Sequence, residues 1–211
     1  MHVLHAAGPV RNGVRSVVLG VALILMTAVL PSHAAETFNL TLQPGWNLVS
    51  VPIVPADNTI VGVFKGANMG PVWGWDAPTH VFQKAEIIEP GQGYWVYAPA
   101  SERDGDGRES VPVSGTAVRG ADRDLVAGWN LLGPIGYEPY VDLPLPPRVK
   151  PSDAPRGPAW GWNGTGYVAL TSLSPGRACW VNVGAVSSAR LAPNPGTQEG
   201  TFFLWQQGGW R

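Results

Sequence analysis

Short stretches of alternating or continuous apolar residues recur along the chain after residue 35. Phe38–Leu42 alternates at each position, and the turn Gln43–Gly45 separates it from the apolar run Trp46–Ile53. Runs rich in valine and aromatic residues, bounded by glycine, proline, asparagine or aspartate, are typical of β-strands. The pattern predicts six strands in the first part of the chain: Phe38–Leu42, Trp46–Ile53, Val72–Trp75, Val81–Ala85, Gly93–Ala98 and Val111–Val118. Only Asn58–Phe64 has a helical pattern.

The same series of predicted short strands occurs twice in the sequence. Gly45–Leu48 (GWNL) recurs as Gly128–Leu131, and Pro71–Trp75 (PVWGW) recurs as Pro158–Trp162 (PAWGW). Further matched positions are Phe82 with Tyr167, Pro90–Gly91 with Pro175–Gly176, and Trp95 with Trp180. Such self-similarity predicts an all-β protein of two tandem copies of a small unit of about six strands, barrel- or sandwich-like. We place the first copy at 36–118, the second at 119–196, and an aromatic C-terminal tail or last strand at 197–211.

These motifs resemble a β-repeat of bacterial exported and cell-surface proteins. Its hallmarks are a GWNLVS-P strand, a W-x-W strand and a PG-x-GYWV strand, and the first copy fits closely at Gly45–Val51 and Pro90–Val96. The second copy departs from the pattern, with Leu132–Gly133 for the Val-Ser of the motif and Arg177–Cys179 for x-Gly-Tyr. The resemblance implies a location outside the cytoplasm and an accessory role. It assigns no activity to any residue.

The first 35 residues read as a secretory signal peptide. Arg11 and Arg15 precede the apolar run Val17–Leu30, and the small residues of Ser32–Ala35 follow. A positive segment, a short apolar segment and a small-residue site are the three parts of such a peptide. We predict cleavage after residue 34 or 35, which leaves no membrane span, with an uncleaved anchor as the alternative. The mature protein is then extracellular, periplasmic or attached to the cell surface.

Composition narrows the class of function. The chain has 27 glycines and 21 prolines, which disfavour long helices, and 10 tryptophans, which disordered segments lack. Its formal net charge is −1, so it has no electrostatic footprint for nucleic acid. The identity of the partner is unknown from the sequence. A cell-surface protein or a polysaccharide is the class that fits an exported chain.

Residues for catalysis or metal binding are scarce. After removal of the signal peptide, the remaining histidine is His80 and the remaining cysteine is Cys179. A hydrolase triad needs a base oriented by its neighbours, and a Cys/His zinc site takes three or four protein ligands. The loop Glu102–Glu109 lacks EF-hand spacing, because Arg108 occupies the fifth position counted from Asp104. We therefore predict a protein that is not an enzyme and that has no cofactor and no metal.

Eight of the ten tryptophans form matched pairs between the two copies. A unit of about 80 residues has only a small core and needs large apolar anchors. We therefore assign to the structural core Trp46, Trp73, Trp75, Trp129, Trp160 and Trp162.

Strand alternation divides the last matched strand into two faces. In Gly93–Ala98 one face carries Tyr94, Val96 and Ala98, and in the second copy the small hydrophobe Cys179 takes the place of Tyr94. The opposite face mixes aromatic and polar residues. The candidate ligand-binding residues on that face are Trp95, Tyr97 and Trp180.

Taken together, the sequence predicts a secreted, non-enzymatic β-repeat protein that acts as a structural or interaction module outside the cytoplasm. The alternative is a carbohydrate-binding module that uses exposed aromatic residues. An enzyme that uses paired carboxylates is a third class, but no spacing of acidic residues singles out such a pair.

Overall fold

The computed structural model of the chain describes residues 35–100, 105–118, 121–137, 157–185, 187–192 and 201–205. The predicted signal peptide lies outside the described residues, apart from Ala35. We call residues 35–118 the first half and residues 121–205 the second half. Both halves belong to one compact unit, His33–Arg211.

The first half folds into two antiparallel sheets. Its elements are β1 (Glu36–Leu42), β2 (Gly45–Val49), β3 (Ile53–Pro55), α1 (Ile60–Val63), β4 (Val72–Asp76), β5 (Val81–Lys84), β6 (Tyr94–Ala98) and β7 (Glu109–Ala117). A three-stranded sheet has the order β1-β7-β3, and a four-stranded sheet has the order β2-β6-β4-β5. Buried and exposed residues alternate along β7, as in a strand with one face on a core.

The second half has the same arrangement of sheets. Its strands are β8 (Ala121–Leu125), β9 (Gly128–Leu132), β10 (Ala159–Trp162), β11 (Tyr167–Leu170), β12 (Cys179–Val183), β13 (Ser187–Ala192) and β14 (Thr201–Trp205). The four-stranded sheet has the order β9-β12-β10-β11, which corresponds strand for strand to that of the first half. In the three-stranded sheet, β8-β13-β14, the C-terminal strand β14 takes the position that β3 has in the first half. The predicted all-β class is confirmed.

One predicted strand, Trp46–Ile53, is two strands in different sheets, β2 and β3. Between them, the N–H of Ser50 donates to the carbonyl of Gly176 in the second half (3.2 Å), and Pro52 has no N–H to donate. The hydrogen-bonded ladder of the four-stranded sheet therefore ends at Val49, and the chain enters the three-stranded sheet at Ile53. The helix predicted over Asn58–Phe64 is the single turn α1.

Each half has its own core of mainly aliphatic side chains. The first core holds Leu40, Leu42, Val49, Val51, Ile53, Val63, Phe64, Val72, Ile88, Tyr94, Val96, Ala98, Val111 and Val113. The second core holds Leu125, Leu132, Ile135, Ala159, Leu173, Cys179, Val181 and Val183. Among the described residues, neither core contains a tryptophan.

The single cysteine, Cys179, is buried in the second core, so its reactivity can be used to test that core. Burial raises the pKa of the Cys179 thiol to about 12, so its reactive thiolate is scarce at neutral pH. We expect a disulfide reagent at about pH 8 to label Cys179 at least a hundredfold more slowly in the folded protein than in denaturant, since labelling requires local opening. Intact mass followed over time measures the rate. Fast labelling without denaturant would contradict the placement of this thiol in the core.

The GWN motif builds the start of β2 and β9. Gly45 has a φ of 93°, in the left-handed region that favours glycine. The buried Asn47 folds back on the preceding turn: its Oδ1 accepts from the N–H of Gln43 (2.8 Å), and its Nδ2 donates to the carbonyls of Gln43 (2.7 Å) and Gly45 (3.0 Å). Asn130 makes the same three bonds in the second half. The motif therefore fixes the turn and leaves its tryptophan on the other face.

The open edges of β2 and β9 are covered by the opposite half. Each strand lies at the end of its four-stranded sheet, where its outer N–H and C=O groups have no neighbour in that sheet. Equivalent backbone hydrogen bonds cross in both directions: Ser50 N–H to Gly176 O (3.2 Å), Gly133 N–H to Gly91 O (3.0 Å), Ala178 N–H to Leu48 O (3.2 Å) and Gly93 N–H to Leu131 O (3.3 Å). The two halves are thus joined by reciprocal strand pairing.

Two departures of the second copy from the motif, Gly133 and Ala178, occur where equivalent residues face each other across this junction. A Cβ added at Gly133 would lie 2.1 Å from the Cβ of Ser50, which is its counterpart in the first half. A Cβ added at Gly93 would lie 2.8 Å from the Cβ of its own counterpart, Ala178. The pair of Ser50 and Gly133 has room for a single side chain, whereas at Gly93 the Leu131 side chain, 2.6 Å from the added Cβ, also fills the space. In both pairs, one half carries glycine where the other carries serine or alanine.

Candidate functional site

The four-stranded sheets turn their second faces towards each other. On β2, Val49 lies in the core, so Trp46 and Leu48 lie on the opposite face. Leu48 is buried there with Leu131 and Trp180 in an apolar cluster that both halves share. This junction, and neither of the two cores, is where the tryptophans collect.

Two indole hydrogen bonds hold the junction in a reciprocal way. Nε1 of Trp75 donates to the carbonyl of Trp129 at 2.8 Å, and Nε1 of Trp162 donates to the carbonyl of Trp46 at 2.8 Å. Because Trp75 corresponds to Trp162 and Trp129 to Trp46, each half gives and receives one such bond. The two donor rings are therefore fixed in place.

Aromatic rings from the two halves also contact each other edge to face. The crossing pairs are Trp75–Trp180 (5.1 Å between ring centroids), Trp95–Trp162 (5.3 Å), Phe82–Trp180 (6.0 Å) and Tyr167–Trp95 (6.3 Å). The interplanar angles lie between 76° and 83°, a geometry worth about 0.5–1.5 kcal/mol per pair beyond the buried area.

Two equivalent pockets open beside this cluster. The first, of about 520 Å³, is lined by Trp75, Phe82, Trp129, Trp160, Tyr167 and Trp180. The second, of about 560 Å³, is lined by Trp46, Trp73, Phe82, Trp95, Trp162 and Tyr167. Exchanging each residue for its match in the other copy turns one set into the other. Because Phe82 and Tyr167 line both pockets, the pockets adjoin, and we call them together the aromatic groove.

The chemistry of the groove is unusually uniform. Its lining surface is almost entirely aromatic carbon, and no charged side chain lines either pocket. The volumes are those of ordinary ligand sites, which combine apolar walls with a few polar groups. Here the polar groups are those of the aromatic residues themselves, the indole N–H groups and the hydroxyl of Tyr167. Trp180 is 7% exposed, and its Nε1 is buried and has no hydrogen-bond partner among the described residues.

The assignment of Trp46 and Trp129 to the structural core is corrected. Trp46 is 44% exposed and Trp129 is 41% exposed, and both line the groove. The other four are half-buried and also line the groove: Trp73, Trp75, Trp160 and Trp162. Of these, Trp75, Trp160 and Trp162 pack against the buried cluster that both halves share. The physical reason is that aliphatic side chains fill both cores, so the tryptophans occupy the second sheet faces, where the halves meet.

The predicted ligand-binding residues are partly brought together. Trp95 lines the second pocket and Trp180 lines the first, whereas the exposed Tyr97 lines neither and packs against Trp46 (5.4 Å between ring centroids). The prediction omitted Phe82 and Tyr167, which line both pockets. The sequence does contain a signal for them: Phe82 and Tyr167 are matched aromatic positions of the two copies, as are the tryptophans that line the groove.

His80 lies at the rim of the groove. It has a φ of 57° and its ring stacks on Trp75, with centroids 6.2 Å apart and planes inclined by 6°. In the described part of the chain, no cluster of three or more His, Cys, Asp or Glu side chains is placed to hold a metal ion. None of the helices described there has the length and hydropathy to cross a membrane.

Comparison with known proteins finds no family model, no curated protein and no solved structure that matches this chain.

Proposed function

We propose that the chain is a secreted, non-enzymatic interaction module of two tandem β-units that binds its partner in the aromatic groove. The observation that carries this proposal is the equivalence of the two pockets: every matched tryptophan of the repeat lines one of them. Aromatic side chains at the surface are unfavourable in water, and contiguous exposed patches of them mark interaction sites. A groove built by both halves is therefore the surface that best accounts for the duplicated residues.

The chemistry around the groove supports binding without catalysis. The His80 ring stacks on an indole, and the Cys179 thiol lies in the second core with its pKa raised to about 12 by burial. No carboxylate lines either pocket. General acid–base or nucleophilic chemistry needs such a group within hydrogen-bond reach of a substrate.

Export to the periplasm, the cell surface or the medium is part of the same proposal. Its support is the three-part segment at residues 1–35, together with the resemblance of the motifs to exported proteins.

A polysaccharide is the second candidate partner. Trp46 and Trp129, both more than 40% exposed at equivalent places in the groove, offer flat surface on which sugar rings can stack. The protein would then be a carbohydrate-binding module, and the polysaccharide would bind in the same groove.

Arrays of glycans and of synthetic peptides, probed with the purified mature protein, test the proposal. We expect ligands whose signal falls at least about tenfold in the variant Phe82→Ala/Tyr167→Ala, because these two side chains line both pockets and loss of aromatic contacts of this kind costs more than 1 kcal/mol. The matched control is Tyr137→Ala, an exposed aromatic that lines neither pocket and packs against Phe38.

The control variant should retain binding within about twofold. Thermal melting of all variants checks that the fold persists. The proposal fails if no array ligand is found, or if the ligands found bind the Phe82→Ala/Tyr167→Ala variant as well as the unchanged protein.

A further inference from the structure

We propose that the junction is a selective interface, in which each half accepts the opposite half and rejects a copy of itself. The opposite half can belong to the same chain or to a second copy of the chain. The proposal is independent of what binds in the aromatic groove. It follows from three places at which matched residues of the two halves differ in size or in charge: Ser50/Gly133, Gly93/Ala178 and Leu40/Arg123.

The backbone alone does not distinguish like halves from unlike halves. Ser50 N–H donates to the carbonyl of Gly176 in the second half. In the opposite direction, the matched residues Gly133 and Gly91 make the same bond. A copy of the first half in the place of the second would therefore offer the same strand edge and the same carbonyls. Selection between the halves has to come from their side chains.

The first place excludes the pairing of two first halves. Ser50 faces Gly133, and a Cβ on residue 133 would lie 2.1 Å from the Cβ of Ser50. Carbon atoms that are not bonded to each other pack at about 3.5–4.0 Å, so a serine cannot face a serine here unless the backbone is displaced. The hydrogen bonds that tie both residues to the opposite half oppose that displacement.

The second place excludes the pairing of two second halves. Gly93 faces Ala178, and a Cβ on residue 93 would lie 2.8 Å from the Cβ of Ala178 and 2.6 Å from the Cγ of Leu131. Two second halves would place alanine at both positions and would retain the leucine, which belongs to the second half. The two places therefore act in opposite directions, and together they leave the pairing of unlike halves.

Charge adds a third distinction. Nη1 of Arg123 on β8 donates to Oε2 of Glu89 in the first half at 2.8 Å, and its Nη2 donates to the carbonyl of Pro90. In the first half the position of Arg123 is taken by Leu40, and in the second half the position of Glu89 is taken by Ser174. Neither pairing of like halves can form this ion pair. Charged groups across an interface act on the choice of partner more than on affinity.

This selection favours closure of the junction within one chain. Two chains that paired like with like would satisfy one half of each and leave the other halves to pair with further chains. Misassembly of this kind is characteristic of repeat proteins. Clashes that exclude the wrong partner are a general source of specificity, and the facing serine and alanine supply one clash for each like pairing.

The test refolds two full-length mature variants together. Gly133→Ser makes serine face serine at the first place, and Ser50→Gly makes glycine face glycine. When one chain of each variant exchanges its C-terminal half with the other, both junctions again contain one serine and one glycine. One variant carries ¹⁵N, the two are mixed in denaturant and refolded at high protein concentration, and native mass spectrometry measures the composition of the dimers.

We expect heterodimers to form at least about four-fifths of all dimers, against about one half for random pairing, because they alone avoid both the serine pair and the glycine pair. Two control mixtures should show no excess of heterodimers over random pairing. The first contains labelled and unlabelled copies of the unchanged protein. The second contains Gly133→Ser and the unchanged protein, since every heterodimer of these retains one pair of serines.

Random composition in the mixture of the two variants would overturn the proposal. If Gly133→Ser does not fold by itself, we expect its recovery as a heterodimer with Ser50→Gly, and failure to recover it would overturn the proposal. If no dimers form, urea denaturation of the folded variant decides. Gly133→Ser should then unfold at a lower urea concentration than the unchanged protein, and equal midpoints would show that serine faces serine without a clash.

Discussion

Replacing Gly133 by serine is expected to lower the free energy of unfolding by about 3 kcal/mol. A Cβ at this position would lie 2.1 Å from the Cβ of Ser50, and the backbone of both residues is tied to the opposite half, to Gly91 and Gly176. The clash therefore cannot be relieved by a small shift of one strand. Backbone strain has no part in the effect, since Gly133 does not have a positive φ.

Exchanging the two residues, Ser50→Gly with Gly133→Ser, should recover most of that loss. The side chain at position 133 then has the space of the missing serine, and the Gln92 carbonyl lies 3.5 Å from its Cβ position. For Ser50 the equivalent carbonyl is that of Arg177, which accepts a hydrogen bond from Ser50 Oγ at 2.8 Å. Urea denaturation of the two single variants and the double variant gives the coupling free energy between positions 50 and 133. A double variant no more stable than Gly133→Ser would refute the facing-pair interpretation of the junction.

Asn47→Ala should destabilise the protein by about 3 kcal/mol. The buried amide makes three hydrogen bonds to the Gln43–Gly45 turn, and alanine removes all three from one N–H and two carbonyls of half-buried residues. Buried backbone groups that lose a partner carry the full cost of desolvation.

Asn130→Ala should produce a loss of similar size, because Asn130 makes the same three bonds in the second half. Denaturant titration followed by circular dichroism measures both variants. The exposed Asn58 provides the control, and Asn58→Ala should change stability by at most about 0.5 kcal/mol. Equal, small effects in all three variants would show that the asparagine of the GWN motif is not what holds the turn.

The sequence predicted those features that depend on local pattern. Alternation on β6 correctly divided Tyr94, Val96 and Ala98, which are buried, from Trp95 and Tyr97, which are not fully buried. A strand places side chains on two faces by its geometry alone, so this division needs no knowledge of the rest of the fold. The burial of Cys179 followed from the same reasoning applied to β12.

The candidate site could be predicted only in part, because alternation identifies a face but does not say what covers it. Trp46 was placed in the core since large apolar side chains are usually buried, yet it is 44% exposed. Its environment depends on how the two halves meet, through the carbonyl that Trp46 offers to Trp162, a residue 116 positions away. The pattern of one strand carries no information about such a distant partner. For the same reason, the sequence does not predict that positions 50 and 133 face each other.

The covered edges of β2 and β9 have a consequence for how the molecule is made. During synthesis from the N-terminus, β2 is present long before Gly176–Ala178 can cover it. The bond between Ser50 Oγ and the Arg177 carbonyl alone spans 127 positions. Contacts so distant form slowly, and an uncovered strand edge is a template for pairing with another chain. Two molecules folding side by side can satisfy every bond of the junction by exchanging their C-terminal halves. Crowded refolding should therefore yield an intertwined dimer, and dilute refolding the monomer.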